Sequence, residues 1–401
     1  SLKEDLTTHL RRDEWLESKL IIDKFPDMVR IPLNDRGHTA LHLAVKRQRL
    51  EIVNELVKRM RPEDMLILNS SGDTALHVAV ERDSLEIVKE LVNRMRPEDM
   101  LILNSSGDTA LHVAVKRDSL EIVKELVNRM RPEDMLIQNS YRYTALHLAI
   151  GRGSLEIVKE LINRMRPEDM LIQNSWGYRY TALHLVVERC SLEIVKELVN
   201  RMRPADMLIL NSSGDTALHL AIKRASLEIV KELINSMRPE DMLIQNSRGY
   251  TALHLAIIDR GILEIVKELL NRMRPEDMLI QNSTGDTALH LAIARGSLEI
   301  VKELINRMRP EDMLIQNSTG DTALHLAVMR EKLEIVNELV KRMRPENTLI
   351  PNSDGMLPVH LAALHGYKRL VDILSSRKVI DKMDYKDIEQ LFLMTIRINM
   401  F

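Results

Sequence analysis

The sequence predicts an all-α solenoid of about ten stacked helix-turn-helix units, with a cap at each end. Three observations predict it. The first is a recurrent Thr-Ala-Leu-His, beginning at Thr39, Thr74, Thr109, Thr144, Thr181, Thr216, Thr251, Thr287 and Thr322; a degenerate copy, Leu357-Pro358-Val359-His360, closes the series. The steps between the threonines are 35, 35, 35, 37, 35, 35, 36 and 35 residues, a period that means stacked supersecondary units. The second is a pair of short apolar stripes in each period, spaced for helices that cannot bury themselves alone. The third is turn chemistry, with Gly, Ser, Asn, Asp and Pro recurring at fixed offsets between the stripes.

Residues 1–33 lack the tetrapeptide. Within them, the run from Asp13 to Ile22 reads as an amphipathic helix, with Trp15, Leu16, Leu20 and Ile22 on its buried side. Phe25-Pro26 ends it. This segment is expected to cap the stack.

Asn69 to Leu103 is one full unit. Ser70-Ser71-Gly72-Asp73 forms a turn in which Gly72 is free to take positive φ. Thr74 then caps a helix running to about Arg82, with Leu76, Ala79 and Val80 on its apolar face. Asp83-Ser84 breaks that helix. Ser84 is expected to cap a second one, with Glu86 in the first turn and a stripe of Leu85, Val88, Leu91, Val92 and Met95. Glu90 and Arg94 are spaced to pair at i,i+4. Pro97 ends the helix near Met95, and Pro97-Glu98-Asp99 makes a further tight turn. Residues 34–375 hold ten such units. Residues 376–401 form a closing segment, with a last helix from Tyr385 to about Arg397. Trp15 and Leu20 at one end, and Ile388, Leu391 and Phe392 at the other, are expected to shield the terminal apolar faces.

Composition narrows the function. Of the 401 residues 45% are apolar, enough for a continuous core, and the net charge of −2 announces no nucleic-acid surface. Arg recurs in every unit with Glu or Asp close by, which reads as a solvated, self-neutralising face. The single cysteine, Cys190, excludes an internal disulfide framework and suits a reducing, cytoplasmic compartment. No apolar run reaches the roughly 18 residues needed to span a bilayer. The chain begins with Ser1 rather than Met, as a piece of a longer protein would.

Several repeated residue types invite chemistry that their placement argues against. The ten histidines at the tetrapeptide position lie in different units, about 10 Å apart by helix packing, too far to share one zinc. Each is expected instead to bridge groups of adjacent loops. The 23 methionines lie mostly in the Met-Arg-Pro-Glu-Asp-Met segment and its variants, where their period makes them packing residues. The Glu-Asp pairs lack spaced calcium ligands and have Arg beside them. There is no phosphate loop, no Ser-His-Asp order and no CxxC, so neither an enzyme nor a cofactor or metal is expected.

These residues resemble the ankyrin repeat, whose pattern is a turn Gly, Thr-Pro-Leu-His-x-Ala-Ala, a Gly-His turn and Ile-Val-x-x-Leu-Leu. Here it stands as Gly72-Asp73-Thr74-Ala75-Leu76-His77-Val78-Ala79-Val80, with Ile87-Val88 and Leu91-Val92 following. Ala replaces the family Pro in nine copies. The turn Gly between helices survives at Gly153, Gly261, Gly296 and Gly366, while Asp83, Asp118, Cys190 and Ala225 replace it elsewhere. The last unit also looks like that of plant ankyrin proteins carrying a C-terminal membrane domain. The resemblance implies a curved stack that works as a non-enzymatic protein–protein interaction scaffold. Two alternatives stay open. One is a regulatory fragment of a membrane-anchored plant ankyrin protein, in stress or defence signalling. The other is a designed array without a natural partner, since units two and three differ at only two of 35 positions.

In that family, finger-like turn tips and the exposed side of the first helix line the binding face. Most tips read Ser-Gly-Asp or Thr-Gly-Asp, but unit four has Tyr141-Arg142-Tyr143. Unit five adds Trp176-Gly177 before Tyr178-Arg179-Tyr180, and unit seven has Arg248-Gly249-Tyr250. Aromatics on turns do not help a chain fold, and Arg142 and Arg179 stand where the turn Gly should be. Tyr, Trp and Arg dominate interface energetics. Tyr141, Arg142, Tyr143, Trp176, Tyr178, Arg179, Tyr180, Arg248 and Tyr250 are therefore the expected partner-binding residues, for another protein and not for nucleic acid or membrane insertion. At the first-helix exit, Lys46, Glu81, Lys116, Gly151, Glu188 and Lys223 give way to Ile258, Ala294 and Met329. That trend fits either surface variation or a graded groove.

Overall fold

In the computed structural model, which describes residues 1–174, 177–259 and 261–398, the described residues form helices and turns with no strand. The chain divides into two compact halves, Ser1–Ser212 and Ser213–Phe401. The first contains the N-terminal segment and repeats one to five. The second contains repeats six to ten and the closing helices.

Repeat two shows the local logic. Thr74 caps Ala75–Glu81: its Oγ1 accepts from the His77 N–H, and its own N–H donates to His77 Nδ1 at 3.2 Å. This is a capping box with His in the usual place of Glu. The helix buries Ala75, Leu76, Val78, Ala79 and Val80. It packs against Ala40–Lys46 of repeat one and Ala110–Arg117 of repeat three. The chain then turns through Asp83 at φ 54°. Asp118, Cys190, Ala225, Gln48 and Glu331 take the same left-handed conformation at the equivalent position, as do Gly153, Gly261, Gly296 and Gly366. A side chain there costs about 1 kcal/mol, so the missing glycines leave the turn intact but strained.

The second helix, Leu85–Val92, differs from expectation in two ways. Ser84 occupies the N-cap but makes no side-chain bond, and its Oγ is buried without a partner. The buried stripe is Ile87, Val88, Leu91 and Val92, while Leu85 and Met95 are only half-buried. Steps of one, three and one put those four residues on a single side. Glu90 and Arg94 pair at 2.9 Å as expected. Beyond the helix, Pro97–Leu101 forms a 3₁₀ turn. Asp99 closes it by accepting from the Arg96 N–H at 2.9 Å and from its guanidinium at 3.1 Å. Met100 is buried beneath, as are Met65, Met135, Met170, Met207, Met242, Met278 and Met313.

The N-terminal segment, expected to hold one helix, forms two, Leu2–Arg12 and Trp15–Lys24. The first packs on Ala40–Lys46 and buries Leu6 and Leu10. Leu16 and Leu20 are 73% and 72% exposed and Trp15 is half-buried, so they do not form the seal. From the second helix only Ser18 and Ile22 are buried. The unforeseen helix has its apolar residues at steps of four in a charged background, a stripe one residue wide. At the other end, Arg377–Ile380 precedes Tyr385–Arg397, which packs on Pro358–Leu364. Leu391 makes the buried contact, whereas Ile388 and Phe392 are 36% and 56% exposed.

Candidate functional site

Each finger is an Asn-centred turn. Asn69 Oδ1 accepts from the N–H groups of Ser71 and Asp73, and Gly72 N–H donates back to the Asn69 carbonyl. Gly72 has φ 72°, and a Cβ there would lie 2.6 Å from Ser105 N of the next finger. The glycine is thus required by conformation and by space. Adjacent fingers are tied together: Ser105 N–H donates to the Ser71 carbonyl, and Asn104 Nδ2 donates to Asp73 Oδ1.

Repeats four and five break this pattern. Arg142 and Arg179 hold the glycine conformation at φ 60° and 53°, each at about 1 kcal/mol. Both are exposed, as are Tyr141 at 55% and Tyr178 at 61%. Tyr143 and Tyr180 are instead half-buried and lie on the histidines of their own repeats. Tyr143 sits 6.1 Å from His147; Tyr178, Tyr180 and His184 form a continuous stack at 5.4 and 5.7 Å. Arg179 Nη2 donates to Gln173 Oε1, and Gln173 Nε2 donates to the carbonyls of Arg179 and Leu210. Gly177 opens on free space. Trp176 lies outside the described residues. In the second half, Arg248 is exposed and Tyr250 is half-buried, edge-on to His254 at 6.3 Å.

Tyr143, Tyr180 and Tyr250 occupy the place of an aspartate with structural duties. Asp108 accepts from Asn139 Nδ2 and pairs with Lys116; Asp215 accepts from Asn246 Nδ2 and pairs with Lys223 at 2.5 Å. A tyrosine ring provides neither the paired carboxylate nor its charge. Sequence reasoning missed this Asp–Asn ladder. Its signal was a constant offset of 31 residues between the two partners.

The histidines bridge loops, as expected. His42, His77 and His112 in the first half, and His219, His290, His325 and His360 in the second, donate from Nε2 to a carbonyl of the next element at 2.9–3.1 Å. His360 reaches Asp387, so the closing helix substitutes for a further finger. Burial holds the rings neutral: His42, His147, His219 and His254 fall from 6.5 to about 4. Among the described residues His147 and His254 lack the bridge, and His147 is the one of the two whose Nε2 is fully buried. Its Nε2 is buried without a hydrogen-bond partner, although the Tyr180 carbonyl is near enough to oppose the pKa shift. The loop that follows is the one carrying two extra residues. Among the described residues no three His, Cys, Asp or Glu gather to hold a metal ion, and no helix is long and apolar enough to cross a membrane.

Fold and fingers together define a helical repeat solenoid presenting a row of short turns. The chain belongs to the ankyrin repeat family. The family model for ankyrin repeats (3 copies) matches residues 18–100, 92–174, 152–242, 228–312 and 307–386. No curated protein matches the sequence. Among solved structures, the chain is similar to the ankyrin repeat domain of Bcl-3, described as a unique member of the IkappaB protein family. Identity is 27% and the TM-score 0.51, covering 59% of this chain and 100% of that domain.

Proposed function

We propose that this chain is a non-enzymatic protein–protein interaction scaffold whose principal contact surface is the finger row of repeats four and five. The observation that carries the reading is the pair Arg142 and Arg179. Two arginines stand in a left-handed conformation where other repeats keep glycine, and strain of that kind persists at functional sites. Tyr141 and Tyr178 beside them are exposed aromatics with no share in the core. Tyr143 and Tyr180 support the row from below through their histidines. Trp176 belongs to the same inserted loop, and Arg248 and Tyr250 offer the same chemistry in the second half. A reducing compartment such as the cytoplasm fits the lone, exposed Cys190.

The test replaces only the exposed residues, with those of repeat two: Tyr141→Ser, Arg142→Gly, Tyr178→Ser and Arg179→Gly. Partners captured from the source cell by the unaltered chain should be lost, with the urea midpoint little changed. Retained capture would place the contact surface elsewhere.

A further inference from the structure

In the first repeat an aspartate of the Asp–Asn ladder is replaced by His38, and the change leaves a cationic cavity. In repeats three and six the first-helix lysine pairs with that aspartate, as Lys116 does with Asp108 and Lys223 with Asp215. Lys46 is the equivalent lysine and, with His38 in the aspartate's place, makes no ion pair among the described residues. Around it stand Arg11, Arg36 and Arg47; none of the four cations makes an ion pair among the described residues. They line a cavity of about 310 Å³ together with Asn34 and His38, and no acidic residue lines it. His38 is buried, and Asn34 Nδ2 lies 3.3 Å from its Nδ1. With Asn34 donating there, the neutral ring carries its proton on Nε2. Burial, Lys46 and Arg36 hold the ring below its ordinary pKa.

We propose that this cavity binds a phosphoryl group carried on an extended segment of a partner protein. Three observations select that ligand. Four unpaired cations and a polar ring suit a compact dianion with several acceptor oxygens. The cavity shares Arg36, His38 and Lys46 with a second of about 200 Å³, which shares Asp73 and Glu81 with a third of about 260 Å³. This row follows repeats one to three, as an extended chain would. Further along, the row is of mixed sign: Arg82 and Arg117 line it beside Asp73 and Glu81, and Asp108 is paired with Lys116, so it offers no continuous run of free cations to a second and third phosphate, which disfavours nucleic acid. Asp73 and Glu81, which make no ion pair among the described residues, favour a cation on the ligand one repeat further on. With repeats about 10 Å apart and about 3.3 Å per extended residue, that cation lies about three residues from the phosphoryl group.

The experiment uses the full chain and a fluorescent Ala/Gly peptide bearing one phosphoserine, with a lysine three residues to either side. Its unphosphorylated form and inorganic phosphate are the other arms, all at low salt. The phosphopeptide should bind, the unphosphorylated peptide should not, and inorganic phosphate should compete only weakly. His38→Asp introduces the carboxylate that other repeats use to neutralise this lysine, and should weaken binding by about tenfold or more. The exposed pair Arg36→Ser and Arg47→Ala should do the same if His38→Asp fails to fold. Lys223→Ala, whose lysine is paired with Asp215 in the sixth repeat, away from this row, should leave affinity unchanged. The proposal is overturned by no phosphate-dependent binding, by affinity indifferent to both first-repeat variants, or by a phosphopeptide no tighter than free phosphate.

Discussion

Replacing His112 and His147 in turn by alanine separates the bridge from the burial of the ring. In the native chain His112 Nδ1 accepts from the Thr109 N–H at 3.1 Å and lies 2.8 Å from Thr109 Oγ1, while Nε2 donates to the Tyr143 carbonyl at 3.0 Å. His112→Ala leaves a buried N–H and a carbonyl without partners. Each unpaired group costs about 1–3 kcal/mol, and water entering the gap recovers part of that; the expected loss is about 2–4 kcal/mol. His147 keeps its Thr144 contacts at 3.3 and 2.8 Å but has no Nε2 bond to lose. Its replacement should therefore cost about 1–2 kcal/mol less. A repeat array need not unfold in one step. The assay is accordingly native-state hydrogen exchange of repeats three and four, beside urea unfolding of the full chain. Equal losses, or a greater loss at His147, would refute the assignment of the Nε2 bond as the stabilising element. Zinc bound stoichiometrically and released by either substitution would refute the structural role altogether.

The remaining predictions rest on the same geometry. Native rings at about 4 against 6.5 stay neutral while unfolded ones take up protons. Stability should therefore be level above about pH 7 and fall as pH drops from 6.5 toward 4, by up to roughly 3 kcal/mol per ring; an unfolding midpoint constant across that window would contradict it. Arg142→Gly and Arg179→Gly relieve left-handed strain but free the unfolded chain, so each should change stability by less than about 1 kcal/mol. A larger loss in urea unfolding would mean the side chains hold the fingers in place. Deleting residues 378–401 removes Leu391 and the acceptor of His360, and should promote aggregation on gel filtration; a monomeric, equally soluble product would show that the last helix is not a cap.

The period, the Thr cap and the two turns were legible because each repeat says the same thing again. Asp83, Cys190 and Ala225 could be assigned to a glycine's position by alignment with Gly153 alone, and their positive φ follows. What escaped was information present only once or carried between repeats. The helix Leu2–Arg12 has no second copy and a narrow apolar stripe. Ile87 takes the core place expected of Leu85, because Ile87, Val88, Leu91 and Val92 share one side of the helix while Leu85, at its first position, is only half-buried. Tyr143 and Tyr141 look alike in sequence, yet only Tyr143 stands over a histidine. The same limit applies to the unpartnered His147 Nε2, whose environment depends on a loop 33 residues away.

Hydrogen exchange of the full chain, free and in complex with a protein that it captures, tests the interaction surface directly. Slowed exchange is expected in the fingers at 139–143 and 174–180, with little change in the second helices Leu155–Arg164 and Leu192–Val199. Protection confined to those second helices, with both aromatic fingers exchanging as in the free chain, would contradict it.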